Sequence, residues 1–385
     1  MADIFLYDAV RTPRGKAKPD GGLGALTPHE LVKQQIDALQ LRVDAAANAP
    51  EALLLGCIGQ VGDQGGHIAL VSKLHAGLPD ACAAQSINNY CASGLTAIGQ
   101  AAAMVGSGQA QSVFAGGVEC MSRVPFMGDK ASYYSDETFP TRTRYIPVVL
   151  AADRLAATEG FSRSELDSVA LASQQKAAAA ETNPSLTRSR IPTGRLDAEE
   201  CIRPKTDAAS LASMSPAFGA LQGQYAGALG GETFAPLHTL SHAPPVCDGA
   251  AIALVGGAGL GTPRARILSF AESGGDPVAS LTAGFAAMDK ALAHAGLTLA
   301  DMDRIEFMES FAVTIARFLR DRDVDQARVN VSGGHIAKGH PMGASGAILT
   351  STLLDCLDEA DGTLGLVVVS GASGVGAAMV VERLN

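Results

Sequence analysis

Tryptophan is absent, and aromatic residues of all kinds make up only 5% of the chain. A core without large rings must be filled by aliphatic and small side chains, and 47% hydrophobic residues with 43 glycines among 385 positions suit that. Positive charge is also in deficit: 29 Lys and Arg stand against 39 acids, a formal charge of -10. Nucleic-acid backbones and anionic membranes both need a basic face, so neither is expected as a partner, although a local basic site for one phosphate fits the same sum. No apolar run approaches the roughly 20 residues of a membrane-spanning helix. The opening "MADIFLYDAVRTPRG" has acids within its apolar stretch and no small-residue cleavage site, so no signal peptide is expected and the protein is read as cytoplasmic. Cys57, Cys82, Cys91, Cys120, Cys201, Cys247 and Cys356 are scattered without a C-x-x-C pair or a His/Cys cluster, which argues for reduced thiols and against a metal centre.

What is present is an alternation of two patterns. Apolar, β-branched runs such as "DIFLYDAV", "ALLLGCI", "SVFAGG", "AAIALVG", "RIEFME", "LGLVVVSG" and "GAAMVVERL" read as buried strands bounded by glycine. Helical periodicity occupies residues 28–41, 92–106, 162–180, 280–295 and 343–356. Strands alternating with helices imply an α/β fold whose sheets are covered on both faces. Two stretches share one design: "SINNYCASGLTAIGQAAAMVGSGQAQSVFAGGVE" and "VNVSGGHIAKGHPMGASGAILTSTLLDCLDEADGTLGLVVVSGASG" each run as short strand, small-residue turn, helix and strand. The chain therefore reads as an internal duplication covering roughly residues 2–118 and 248–385, with a Ser, Thr, Arg, Pro and Gly-rich insertion between the copies.

Each copy holds one candidate for chemistry at the start of its helix. In "NNYCASGL" Cys91 would feel the positive end of the helix dipole and free N–H groups, which favour a thiolate and can bind an oxyanion. The alternative is a buried structural cysteine. In "GGHIAKGHPMGASGA" His335 and His340 precede a glycine-rich turn, where an imidazole could take a thiol proton or donate to a carbonyl oxygen. The alternative there is a phosphate-binding turn. Neither segment matches a P-loop, "GGAGLG" opens no convincing helix, and Ser345 and Ser373 sit in no G-x-S-x-G elbow.

Together with "AVRTPRG", "AGGVECMSRVP", "RPKTDAASLASMSPAF", "DGAAIALVGG", "MESFAV" and "GVGAAMVVERL", in this order along nearly the whole chain, these segments resemble the thiolase family. The resemblance implies a five-layer α/β/α/β/α fold made of two duplicated halves. Residues 1–118 and 249–264 would form the first half, 119–248 an inserted loop domain and 265–385 the second half. It further implies a homodimer or homotetramer acting on acyl-CoA, with the coenzyme A thioester as substrate and no metal or redox cofactor. Cys91 matches the nucleophile that takes the acyl group, and His340 the histidine that activates it and helps hold the thioester oxygen. Arg203 falls where the family places an arginine by the nucleotide of coenzyme A. Ser210, Ala217 and Phe218 fall at family contact positions, and Phe311 at an active-site wall.

Three departures share one direction. "SGASG" puts Ser370 where thiolases carry a second cysteine, the base of the carbon–carbon bond step, and a serine hydroxyl is a poor base. The backbone donor at Ala372 does not depend on a side chain and is expected to survive. "MESF" puts Met308 where an asparagine usually supports an oxyanion hole, a loss commonly worth about 2.7–4 kcal/mol in barrier. In "LSHAPPVCDGAA" Pro244 stands near a usual serine that anchors the pantetheine arm, with His242 nearby. Acyl transfer onto Cys91 thus keeps its parts, while carbon–carbon chemistry has lost its usual base. The expected function is a thiolase-like acyl-CoA acyltransferase in which Ser370, His335, Glu309 or Cys120 has taken over proton transfer. Acyl transfer to a non-CoA acceptor, thioester hydrolysis, and non-catalytic acyl-CoA binding are the alternatives.

Overall fold

The computed structural model of the chain describes residues 3–44 and 49–384; the expected domain ends at 1–2 and 385 lie outside the described residues, as does 45–48. Ten strands form one sheet: β1 (Phe5–Arg11), β2 (Gly15–Lys16), β3 (Ala52–Gly56), β4 (Ala83–Ile87), β5 (Ser112–Glu119), β6 (Cys247–Gly256), β7 (Ala265–Gly274), β8 (Arg304–Phe307), β9 (Leu364–Gly371) and β10 (Val375–Arg383). The helices in chain order are α1 (Pro28–Gln40), α2 (Ile68–Ala76), α3 (Ser93–Gly106), α4 (Val148–Thr158), α5 (Arg163–Ala180), α6 (Ala208–Ala212), α7 (Leu221–Gln224), α8 (Ala283–Ala295), α9 (Ala312–Asp321), α10 (His335–Lys338) and α11 (Ser345–Ala360).

The strand order β4-β3-β5-β6-β1-β7-β10-β9-β8 reads the same way outward from its middle. β3 is parallel to β4 and β5, β5 is antiparallel to β6, and β6 to β1. On the other side β8 is parallel to β9, β9 is antiparallel to β10, and β10 to β7. Along the sheet the strand pairing between the two sides is short, Phe5↔Arg266 and Leu6↔Ala265 among the described residues. The short strand read from "VNVS" is reduced to one parallel bridge, Ile305↔Val329. Its next residue, Asn330, lies in the left-handed region (φ 45°). Its side-chain amide accepts from the Phe307 N–H at 2.8 Å and donates to the Phe307 carbonyl at 2.9 Å, doing with one side chain what a strand would do with its backbone.

Side-chain alternation along the strands builds five layers. On β5, Val113 and Ala115 face a central core while Phe114 and Val118 face an outer one; on β10, Ala377 and Met379 face the centre while Ala378 and Val380 face the opposite outer core. The central layer is α3 beside α11, helices rich in small and apolar residues and buried over most of their length. α1 covers one outer face with Leu31, Val32, Ile36 and Leu39, started by a Thr27–Glu30 capping box and Pro28. α8 and α9 cover the other. Residues between β5 and β6 add α4 to α7 and no strand of the sheet. Among the described residues no helix is long and apolar enough to cross a membrane.

Candidate active site

The chain reaches Cys91 through a tight turn. Tyr90 takes a left-handed conformation (φ 45°), the Ala92 N–H donates to the Asn89 carbonyl at 3.1 Å, and the Ser93 N–H donates to the Tyr90 carbonyl at 3.0 Å. This turn delivers Cys91, 9% exposed, to the start of α3. The second half contributes a matching turn before α11. Gly339 (φ 102°) permits the backbone reversal after α10, the His340 N–H donates to the Pro245 carbonyl at 2.8 Å, and Met342 is left-handed.

The two turns bring His340 Nε2 to 3.2 Å from Cys91 Sγ. On the other ring edge, His340 Nδ1 lies 2.7 Å from Ser345 Oγ. The tautomer protonated at Nδ1 donates to Ser345 and leaves Nε2 as the acceptor facing the thiol. Burial pushes the Cys91 thiol up to about 12, opposed by backbone N–H groups of Ala372 and of Cys91 itself and reinforced by the Glu119 charge. Burial, with Arg14 adding to it, lowers His340 to about 3. Thiol and imidazole are therefore both neutral at rest. The proton moves when a bond to carbon replaces it, and the Ala372 and Cys91 N–H groups stand where negative charge would gather.

Both side chains face a cavity of about 420 Å³. Ser370, Ala372, Met308, Phe311, Phe218 and Arg203 line it as well. Ser370 Oγ accepts from the Gly284 N–H at 3.1 Å, and the Ser310 hydroxyl donates to the Ser370 carbonyl at 3.2 Å. The Phe218 and Phe311 rings meet edge to face at 6.4 Å. Met308 is buried with its thioether as the only polar handle, and Pro244 lines the wall. Arg203 is exposed. Ser210 and Ala217 are exposed and outside the cavity lining; the Ser210 N–H and hydroxyl are spent on Asp207 in a helix cap.

Of the residues weighed as substitute bases only Ser370 lines the cavity; His335, Glu309 and Cys120 sit elsewhere, as does His242 near Pro244. Glu309 is buried behind the wall, accepting from Ser173, the Ile336 N–H and Asn330. His335 lies edge-on to His340 at 5.2 Å, fully buried, with neither ring nitrogen partnered. His242 binds Asp167 at 2.7 Å, and Cys120 is in the core. Among the described cavity-lining residues there is no carboxylate and no imidazole besides His340. Sequence reasoning missed three supports: Ser345, Ser310 and Glu119. The buried Glu119 carboxylate accepts from the N–H groups of Ile58, Gly59 and Gly343 at 3.0 Å each, tying β5 to the turn after His340. All seven cysteines are free and buried. Among the described residues no three His, Cys, Asp or Glu side chains gather as metal ligands would.

Family models for the thiolase N-terminal and C-terminal domains match residues 4–256 and 261–383. The chain is 33% identical to the β-ketoadipyl-CoA thiolase of Pseudomonas putida and 33% identical to a 3-ketoacyl-CoA thiolase of Shewanella frigidimarina, covering 100% of both sequences in each case. The crystal structure of human mitochondrial 3-ketoacyl-CoA thiolase superposes with a TM-score of 0.87 at 26% identity, over 100% of this chain and 99% of that one. A neutral thiol and imidazole meeting at the seam of two matching half-sheets, in a chain matched end to end, make this protein a member of the thiolase family of acyltransferases.

Proposed function

We propose that the protein takes an acyl group from a coenzyme A thioester onto Cys91, with His340 as the base. The observation that carries this is the 3.2 Å approach of Cys91 Sγ to His340 Nε2 beside the Ala372 N–H. As sulfur attacks the thioester carbon, its proton passes to Nε2, the carbonyl oxygen becomes an oxyanion held by the Cys91 and Ala372 N–H groups, and the departing coenzyme A sulfur takes the proton back from His340. Arg203, at the exposed end of the cavity lining, suits a phosphate or adenine, and Phe218 and Phe311 suit the pantetheine arm. Ser210 and Ala217 are read as outer contacts of the nucleotide. The reaction calls for no metal or redox cofactor.

The second step separates two readings. Thiolytic or condensing chemistry needs a proton moved at carbon, and with Ser370 accepting from Gly284 the task falls to His340 alone, so that turnover is slow. The lack of a second base in the cavity favours discharge of the acyl group to a thiol, alcohol or water, which His340 can deprotonate. The reading extends to fatty-acyl metabolism in the cytoplasm and to a homodimer or homotetramer. β4, an edge strand half-open to solvent beside the exposed Leu70 and Leu74 of α2, supports self-association. The units 1–118 with 249–264, 119–248 and 265–385 belong to the same proposal, supported by the mirrored strand order.

Intact-mass measurement after incubation with acetyl-CoA tests the first step. Wild type gains one acetyl group, Cys91→Ala gains none, and His340→Ala loads at least about 10²-fold more slowly. Acetoacetyl-CoA cleavage by coenzyme A tests the second, with Ser370→Cys expected to exceed wild type. Binding of acetyl-CoA without any mass gain would instead mark a non-catalytic acyl-CoA-binding protein.

A further inference from the structure

Beyond Cys91 the cavity is walled by a segment of the insertion rather than by the sheet. Tyr134 and Tyr145 line the catalytic cavity, and the same two rings line a second cleft of about 270 Å³ shared with Asp136, Glu137 and Tyr225. The two spaces therefore share these two rings as a common wall. The rings are 4.9 Å apart and tilted at 56°. Each is pinned: the Tyr134 hydroxyl donates to the Asp129 carboxylate at 3.0 Å, the Tyr145 hydroxyl to Met127 Sδ at 3.7 Å, and Tyr145 also leans edge-on against Tyr133 and Tyr225. With their hydroxyls committed, the rings offer a ligand only carbon surface. The neighbouring lining is Val148, Val149 and Leu281. The second cleft also holds Arg144, whose guanidinium donates to the Phe139 and Glu137 carbonyls, beside the carboxylates of Asp136 and Glu137.

We infer that Tyr134 and Tyr145 are the specificity-determining end wall of the acyl arm. They set the length of acyl group the cavity accepts, and with Asp129, Asp136 and Glu137 outnumbering Arg144 around them they select an uncharged chain end over a carboxylate. The inference rests on the proposed binding of acyl-CoA at Cys91. An apolar chain gains by burying each further methylene until it meets the wall, and a terminal carboxylate there would lose its water facing a like charge. Removing one ring joins the two spaces.

The test reads binding, which does not depend on acyl transfer. In Cys91→Ala protein, dissociation constants are measured calorimetrically for butyryl-, hexanoyl-, octanoyl-, decanoyl- and adipyl-CoA, with and without Tyr145→Ala, Tyr145→Leu, Tyr134→Ala or Tyr134→Phe. Affinity should stop rising with length in the parent. In the Tyr145→Ala or Tyr134→Ala background the octanoyl-to-butyryl affinity ratio should rise about tenfold or more. Tyr134→Phe should keep the parental profile, and adipyl-CoA should bind the parent at least about tenfold more weakly than hexanoyl-CoA. Unchanged length profiles in variants that melt as the parent does would overturn the wall, and equal binding of adipyl- and hexanoyl-CoA would overturn the charge selection. Failure of Cys91 to acylate in wild type, with the binding profiles shifting as described, would refute the proposed acyl transfer and leave the wall standing.

Discussion

His335 occupies an unusual position for a polar side chain: fully buried, edge-on to His340, with both ring nitrogens unpartnered. Burial, Arg14 and the neighbouring His340 and Lys338 hold its pKa well below the ordinary value, so it stays neutral in the native state. The unfolded chain takes up a proton near pH 6.5 that the folded one refuses, and stability is lost as pH falls below that point. By pH 5 one such histidine removes about 2 kcal/mol. His335→Leu should therefore melt closer to its pH 7.5 temperature at pH 5 than wild type does. Equal acid sensitivity of the two proteins in thermal melts would refute this. Cys91 and His340 could be named as candidates because their chemistry is local, a thiol and an imidazole each at the mouth of a small-residue helix, but only the family resemblance chose them over a structural cysteine and a phosphate-binding turn. Ser345, Ser310 and Glu119 could not be named, because each matters through a partner: Ser310 and Glu119 meet theirs across the fold, and Ser345 acts only once the turn orients His340.

At the scale of elements, the site depends on how closely α3 and α11 pass. A Cβ on Gly346 would lie 2.5 Å from Leu95 Cβ and 2.6 Å from the Leu95 backbone nitrogen, and one on Gly94 would lie 2.8 Å from the Gly343 carbonyl. Neither contact can be relieved by swinging a flexible side chain. Because Cys91 precedes one helix and His340 the other, the spacing of the helices is also the spacing of the reacting pair. Gly346→Ala should cost about 1–3 kcal/mol in urea unfolding and slow acetyl loading of Cys91 at least about tenfold. Wild-type loading in this variant would refute the link. The sequence reading found strands that are continuous apolar runs and passed over β7, whose "ARILSFAESG" alternates buried with partly exposed positions. It expected a strand at "VNVS", where the side chain of Asn330 does the pairing instead, a substitution that no periodicity records.

For the molecule as a whole, the mirrored order of the sheet places the seam between β1 and β7, with α3 and α11 packed across it. The strand pairing at that seam is slight, so the helices and the shared central core hold the sides together. The connection from β6 to β7 runs through the glycine-rich stretch around Gly259 and Gly261, both left-handed. A protease site placed there and cut in the folded protein should leave the fragments co-eluting and Cys91 still able to load an acetyl group. Separation of the fragments under native conditions would show that chain continuity, not packing, holds the seam.

The thiol belongs to one repeat and the imidazole to the other. Each half supplies one reagent of the pair. A chimera that takes its first repeat from one relative and its second from another would inherit both reagents and still fail if the glycines along the contact were mismatched. Compatibility across that line, more than the identity of either reagent, governs which recombinants of this fold can work.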